Sequence, residues 1–352
     1  MISLRFYRIY DTGQEIDLDN LERELARSYF TARASFLRVN PKSIIIEDPP
    51  LMLKMHPVSI ERQGSSYEFS VIARVYDIGA ISICFMYENL NAPSSLLVDN
   101  ALLFTGQDCL SELYSIYLKN IIEILKPFIS DISLDPDFYE DYSIYVTDRI
   151  DSTIDTAVLL SGERIDFSPQ MREEIVKNTL SYTMNDIAVL SWDSALLANP
   201  DNPTDLIDLI EFANVQVFEL RYYDRLLSRN MVAMYEDIEQ ADKKSRFGRM
   251  NTYHAIMAQM METHAEVSEI LEKVNNLIKV TEDIYYARVY ATVLKVMRSE
   301  QWSDSVERKI DIIHQNYSML SDEVRIQHSN FLEWIIIVLI AMEFVLAIWK
   351  AI

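Results

Sequence analysis

The chain is organised around residues 331–349, which read FLEWIIIVLIAMEFVLAIW and contain neither Gly nor Pro. As a helix rising about 1.5 Å per residue, this stretch is about 28 Å long, close to the ~30 Å hydrocarbon core of a bilayer. Trp334 and Trp349 lie near its two ends, where indole rings favour the membrane–water interface. The stretch therefore predicts a C-terminal transmembrane helix, residues 331–352, with Trp334, Glu343 and Trp349 as its membrane residues.

Two carboxylates bear on this prediction. Glu333 lies at the edge of the run and can reach the headgroups, whereas Glu343 lies inside it. A charge at the centre of a span costs about 2.5–3.5 kcal/mol on insertion scales. Each surrounding Ile, Leu, Val or Phe favours insertion by about 0.3–0.6 kcal/mol, so the net free energy of insertion can still be favourable. Glu343 would then be protonated or hydrogen-bonded to a neighbouring helix. The alternative is a buried core helix in a soluble protein.

Composition restricts the class of protein. The 352 residues carry a net charge of -22, which argues against direct nucleic-acid binding because that requires a basic face. Six Gly and ten Pro are few for this length and favour long helices. Cys84 and Cys109 provide neither a disulfide framework nor metal-ligand spacing, and reduced thiols fit the cytosol. Because the N-terminus lacks a signal-peptide pattern, we expect a single-pass membrane protein whose bulk is cytoplasmic.

Residues 1–199 are predicted to form a mixed α/β domain. The clearest strand signal is an alternating apolar pattern at 67–76 and 80–86, joined by a turn that contains Gly79. This pattern predicts a β-hairpin. Residues 110–124 carry apolar side chains at helical spacing and predict a helix.

Local signals predict the remaining elements of this domain. Further strands are expected at residues 4–10, 43–47, 143–146, 156–160 and 187–192. Asp19 is expected to cap a short helix, and Ser168 is expected to precede another that has Pro169 at its first position. The turn at residues 199–203 contains two prolines and marks the predicted domain boundary.

Beyond residue 203, apolar side chains repeat at alternating spacings of four and three, which is typical of a coiled coil. The first run of this seam is Leu206, Ile210, Ala213, Val217, Leu220, Asp224, Leu227, Met231, Met234, Ile238 and Ala241. Residues 243–249 interrupt the pattern and suit a chain reversal. The pattern resumes over 253–278 and again over 306–331. We therefore predict an antiparallel coiled-coil stalk over residues 200–330 whose last helix continues into the membrane. The predicted fold class is α+β.

Seam residues are expected to make the chain a homo-oligomer. The predicted self-association residues are Leu220, Asp224, Leu227, Met231 and His264. Asp224 occupies a seam position as a buried acid or, more simply, as the partner of a cation on a facing helix. His264 is interpreted as a polar residue that sets register. It lies ten residues from His254, whereas helical zinc motifs place two histidines at i and i+4.

Motifs for catalysis are absent from the sequence. Six glycines leave little room for a phosphate loop, and there is no Walker lysine. Ser161 is not a nucleophile elbow, because Leu159 and Glu163 stand where that turn needs glycines. We therefore expect a protein that is not an enzyme, with no cofactor and no metal.

Two segments resemble a known family. Residues 219–227 read ELRYYDRLL, and residues 331–343 open with a Leu-Glu-Trp-Ile start to an apolar helix. Over residues 180–352, together with the Trp192–Asp193 pair, the chain resembles the "required for meiotic nuclear division" family. That resemblance implies an α/β N-terminal portion, a helical hairpin and a membrane-anchored, self-associating organiser. It implies no catalytic residues, and the lack of a transit peptide favours a non-mitochondrial member.

Two functions follow from these observations. The first is a non-enzymatic, tail-anchored membrane scaffold that self-associates through its stalk and recruits a cytosolic protein partner with its α/β head. The alternative is an ion transport or channel component, because the layout resembles the CorA-type magnesium channels. The Gly-Met-Asn signature of those channels is absent, and only one span is evident.

Overall fold

The computed structural model describes residues 1–25, 31–33, 44–45, 48–129, 134–149, 151–201, 203–243, 246–276, 279–280 and 284–351. The chain divides into two compact units. Unit 1 comprises Met1–Tyr222 and Glu272–Trp302, and unit 2 comprises Tyr223–Leu271 and Ser303–Ile352.

The strands all belong to unit 1. They are β1 (Ile2–Asp11), β2 (Thr31–Arg33), β3 (Ile44–Ile45), β4 (Leu51–Lys54), β5 (Val58–Arg62), β6 (Ser65–Val75), β7 (Ala80–Asn89), β8 (Glu140–Thr147), β9 (Thr179–Leu180), β10 (Ile187–Leu190), β11 (Ser194–Ala198) and β12 (Lys279–Val280). Among the described residues, one sheet has the order β2-β4-β6-β7-β1-β8-β11-β10-β9, and β5 also pairs with β6. All its neighbours are antiparallel except β8 and β11, which are parallel. β3 and β12 form a separate antiparallel pair.

Helices of very different length accompany the sheet. They are α1 (Leu18–Leu25), α2 (Leu97–Leu102), α3 (Ser111–Leu125), α4 (Thr156–Ser161), α5 (Pro169–Val176), α6 (Thr204–Asp242), α7 (Arg246–Asn276), α8 (Ile284–Val296) and α9 (Ser299–Ala351). The predicted α+β class, with long helices in the C-terminal half, is confirmed.

The predicted hairpin is formed by β6 and β7, with Val71 opposite Phe85. The alternating side chains of β1, β6 and β7 place one set of apolar residues in a core with α2 and α3. Phe104 lies in this core, 5.6 Å from the ring of Phe6 and 5.3 Å from that of Phe69. Gly79 in the turn has φ +103, and a Cβ there would lie 2.5 Å from the Gln14 carbonyl oxygen. The turn therefore requires glycine.

The first half of α6 packs against the opposite face of the sheet. The Tyr76 ring meets the Phe212 ring edge-on at 5.5 Å. Arg74, which points to this face because side chains alternate along β6, bonds to two carboxylates of α6. The sheet is therefore covered on both faces.

Two local predictions about helices were wrong. Residues 156–160 form α4 rather than a strand, because Asp155 accepts a hydrogen bond from the Val158 amide (3.3 Å) and Gly162 ends the helix at φ +68. Asp17, not Asp19, caps α1: its carboxylate accepts from the Asn20 amide at 3.0 Å. The Ser168 cap of α5 is as predicted.

Unit 2 consists of the second half of α6, α7 up to Leu271, and α9 from Ser303 onward. Many heptad positions of the predicted seam are buried on each of the three helices, among them Leu227, Met234, Tyr253, Met260, Val306, Ile313 and Leu320. The reversal between α6 and α7 is held by a hydrogen bond from Tyr253 to Asp242 (2.5 Å). The three runs of the predicted seam therefore lie on three helices, α6, α7 and α9. The expected boundary at residues 199–203 precedes α6, whereas the two compact units divide within that helix.

Candidate functional site

An open cleft of about 600 Å³ lies in unit 1 at the end of the sheet that carries β10. The residues that give it chemical character are the carboxylates Glu140 and Glu174, together with Lys177, Trp192, Asn214, Arg221, Arg298 and Trp302. Among these are three cations, in a chain whose net charge is -22. A volume of this size is ordinary for a small-molecule site.

Five segments supply these side chains, and the first is β8, which carries Glu140. Lys177 follows α5, and Trp192 occupies the turn between β10 and β11. Asn214 and Arg221 are seven residues apart on α6, so they share one face of that helix. The opposite wall is the junction of α8 and α9, where Arg298 and Trp302 lie.

Arg221 is the most enclosed cation of the cleft, with its side chain 30% exposed. Its guanidinium donates a hydrogen bond to Glu140 on β8 and lies 5.7 Å from the ring centroid of Trp302. Burial lowers the pKa of this guanidinium. The side chain stays charged, because a guanidinium loses its proton only far above physiological pH. A second anion beside it would therefore be attracted.

Arg298 forms the turn between α8 and α9 in the left-handed conformation, with φ +59. Its carbonyl accepts the amide of Gln301 at 3.1 Å and that of Trp302 at 3.4 Å, which starts α9. Within the described ranges its exposed guanidinium has no hydrogen-bond or ion-pair partner. The first amides of α9 lie beside it, and helix N-termini favour anions.

Asn214 is 3% exposed and lines the same cleft. Its carboxamide makes no hydrogen bond to any residue that the structure describes. Buried amides are ordinarily paired, so this side chain provides an unused donor and acceptor at the floor of the cleft.

A buried ionic cluster lies between the sheet and α6. Arg74 bonds to Asp208 and to Glu211 at 2.6 Å each, and the Tyr76 hydroxyl is 3.4 Å from Glu211. Burial raises the pKa of Glu211, and the Arg74 guanidinium opposes that rise. The cluster is enclosed and its groups are mutually paired, so its role is to hold α6 on the sheet.

Asp11 and Glu219 form a second buried group, in which two carboxyls face each other. One Asp11 oxygen accepts the Gly13 amide at 2.5 Å, while neither Glu219 oxygen makes a hydrogen bond to a described residue. Burial raises the pKa of Asp11 to about 7, and burial together with Asp11 raises that of Glu219 well above its ordinary value. Burial therefore disfavours the charged form of both carboxyls in the folded chain.

The predicted self-association residues lie in the interior of the chain. Leu220 and Leu227 are buried, Met231 is half-buried, and the His264 ring lies 6.0 Å from that of His314. Asp224 binds Lys309 at 2.5 Å and Ser305 at 2.6 Å. The cation expected on a facing helix is therefore supplied by α9 of the same chain.

The predicted membrane residues lie on the exposed part of α9. Trp334 is 62% and Trp349 80% exposed, and Glu343 is also exposed. Over the described residues, the helix Ser299–Glu343 is long and apolar enough to cross a membrane, and 6% of its most apolar window is buried. Length and composition alone support this assignment.

Reasoning from the sequence missed the cleft. Arg221 lies within the ELRYYDRLL segment and Trp192 in the aromatic–acid pair, yet neither signal indicated a common site. Asp193 turns inward, with burial raising its pKa, whereas Trp192 is 62% exposed. In the described ranges no three His, Cys, Asp or Glu side chains are placed to hold a metal ion.

Comparison with known proteins concerns the first unit. The sequence model of the family described as "Uncharacterized protein MJ0711, N-terminal domain" matches residues 1–204. Uncharacterized protein MJ0711 of Methanocaldococcus jannaschii is 24% identical over 193 residues, which cover 54% of this chain and 58% of that protein. The chain thus spans somewhat more than half the length of the curated relative that it matches. No solved structure matches the chain.

These comparisons correct the family expected from the sequence. The match ends at residue 204, whereas the resemblance to the "required for meiotic nuclear division" family rested on residues 180–352. That resemblance receives no support from them. The matched region includes Glu140, Glu174, Lys177 and Trp192, whereas Asn214, Arg221, Arg298 and Trp302 lie beyond it.

Proposed function

The chain belongs to the family of the MJ0711 N-terminal domain, and on this premise we propose that it is a non-enzymatic, membrane-anchored scaffold. The apolar run of α9 spans the bilayer, and the bulk of the chain lies on the cytoplasmic side. The family description names no activity, so the proposal rests on the chain's own residues.

One observation carries this proposal: residues 331–343 of the apolar run of α9, whose exposure the structure describes, are uncovered. Ten large apolar side chains between residues 331 and 342 are each 40–62% exposed. A core helix of a soluble protein with the same composition would have them buried. Soluble proteins rarely expose so large a continuous apolar surface, whereas lipid tails cover it without cost.

Self-association and recruitment belong to the same proposal. Because the seam residues are already buried by helices of their own chain, we propose that copies meet through apolar side chains on the outside of the stalk. Val232, Tyr235 and Met261 are 48–58% exposed on α6 and α7. The sheet domain would recruit the cytosolic partner.

The test is partition of the full-length protein into liposomes, read by flotation, with light scattering to give the mass. Ile337→Asp with Leu339→Asp places two carboxylates in the run, at about 2.5–3.5 kcal/mol each near a span centre, and should abolish flotation. Met319→Asp is the matched control, because Met319 is 57% exposed on the same helix outside the run. It should float like the parent.

If the parent protein does not float, membrane anchoring is wrong. A double variant that loses oligomeric mass in solution would instead make the run an interface between copies. Ion flux into the same liposomes that is lost in Glu343→Ala would replace the scaffold with a channel.

A further inference from the structure

We propose that the cleft of unit 1 binds a small anion that carries a planar ring, of the mononucleotide class. The two parts of such a ligand would contact different walls. The anion would meet Arg298 and Arg221, and the ring would meet Trp192, Trp302 and Asn214.

The anionic part is inferred from the charges that remain available. Arg298 has no described partner, and it directly precedes the first turn of α9, from which Trp302 also lines the cleft. Arg221 is held in place by Glu140. Lys177 is already paired with Glu174. A phosphate matches the fork of an arginine and the free amides of a helix N-terminus.

The planar part is inferred from the indoles. Trp192 is 62% exposed on the β10–β11 turn, although a large aromatic surface is ordinarily covered. Trp302 approaches the Arg221 guanidinium from α9. Both line the cleft. Aromatic side chains at a site with cations are the surfaces on which nucleobases stack.

Asn214 provides the second, independent indication of a ligand. It is 3% exposed, lines the cleft and uses neither its amide hydrogens nor its oxygen within the described structure. A carboxamide presents a donor beside an acceptor, which matches the edge of a nucleobase. A bare inorganic anion would leave the acceptor unpaired.

The cleft volume of about 600 Å³ admits a ligand of this size. A typical small-molecule pocket measures about 300–1,000 Å³. The site comes from the strand turn, α6 and the α8–α9 junction, so it exists only in the folded unit.

The experiment measures binding of AMP, adenosine and inorganic phosphate to the full-length protein by tryptophan fluorescence and calorimetry. The background is Trp334→Phe with Trp349→Phe, which leaves Trp192 and Trp302 as reporters. AMP should quench the fluorescence saturably. Adenosine and phosphate should each bind at least tenfold more weakly, because each satisfies one wall.

Two variants assign the walls. Arg298→Gln should weaken AMP at least tenfold and leave adenosine nearly unchanged. Asn214→Ala should weaken AMP and adenosine alike. Arg288→Gln is the matched control, because Arg288 is an exposed arginine of α8 outside the cleft. It should bind AMP as the parent does.

The proposal is overturned if no probe binds saturably, or if Arg298→Gln and Arg288→Gln bind AMP equally. If phosphate binds as tightly as AMP, the planar ring contributes nothing and that part of the proposal is wrong. If adenosine binds as tightly as AMP, the anionic part is wrong. Circular dichroism of each variant distinguishes lost binding from lost folding. None of these results depends on membrane partition.

Discussion

Arg74 shows how much a single residue decides in this fold. Its side chain is 14% exposed and neutralises Asp208 and Glu211 on a helix more than 130 residues away in sequence. Charges of this kind cost several kcal/mol to desolvate and are tolerated only when paired. The pairing therefore fixes where α6 lies on the sheet.

Arg74→Met should lower the free energy of unfolding by about 3–5 kcal/mol, because it leaves two buried carboxylates without a cation. Urea unfolding followed by circular dichroism measures this. Arg164→Met is the matched control. It removes an arginine from an ion pair with Asp99 in which both side chains are more than half exposed, and should cost less than about 1 kcal/mol. Equal losses in both variants would contradict a special role for the buried cluster.

Asp11 and Glu219 predict how stability changes with pH. The pKa of Asp11 is raised to about 7 in the folded chain, and that of Glu219 is raised as well. Nearby Asp77 has a pKa raised to about 6, with Lys273 opposing the rise. The folded state therefore binds protons more tightly than the unfolded state, whose carboxyls titrate near pH 4. The stabilisation that these protonated carboxyls provide is fully present below about pH 4, and it is lost as the pH rises through about 7.

We therefore expect the melting temperature to fall between pH 5.5 and 8.5. The free energy of unfolding should fall by at most about 1.4 kcal/mol per pH unit for each proton that the folded state binds in excess. Glu219→Gln should flatten this dependence, whereas Glu236→Gln, at an exposed position of the same helix, should leave it unchanged. A melting temperature that rises with pH over this range in the parent protein would contradict the raised pKa values of Asp11 and Glu219.

At the scale of elements, the 39-residue helix α6 contributes its first half to unit 1 and its second half to unit 2. Its first half covers the sheet with polar and apolar side chains, and its second half follows the heptad seam of the stalk. Helix α9 likewise passes from the wall of the cleft into the stalk and then into the exposed apolar run. These long helices explain why the division into units does not coincide with element boundaries.

Leu227→Ala should destabilise the stalk by about 2–5 kcal/mol, because Leu227 is fully buried at a seam position. Glu236→Ala, nine residues further along the same helix and exposed, should change stability by less than about 0.5 kcal/mol. Chemical unfolding followed by far-UV circular dichroism measures both. If Leu227→Ala keeps full stability but loses oligomeric mass in light scattering, the seam joins copies rather than helices of one chain.

At the scale of the whole molecule, local patterns recovered the architecture. The alternation around Phe69, the helical spacing at residues 110–124 and the heptads beyond residue 203 each predicted the correct element. The strand prediction for residues 156–160 was wrong because a short run of apolar side chains has no period that distinguishes strand from helix. The Asp155 cap stabilises the helix here. The family match over residues 1–204 covers the sheet domain and leaves the stalk to the chain's own pattern.

The sequence by itself determined the α+β class, the hairpin, the heptad stalk and one apolar helix near residue 340, because periodicity is a property of neighbouring residues. Only the tertiary structure decided that Asp224 pairs with Lys309 of the same chain and that Arg74 pairs with two carboxylates of α6. It alone assembled the cleft from Lys177, Trp192, Asn214 and Arg298. The reason is physical: the partner of a polar side chain is set by which distant segments meet, and no local period records that.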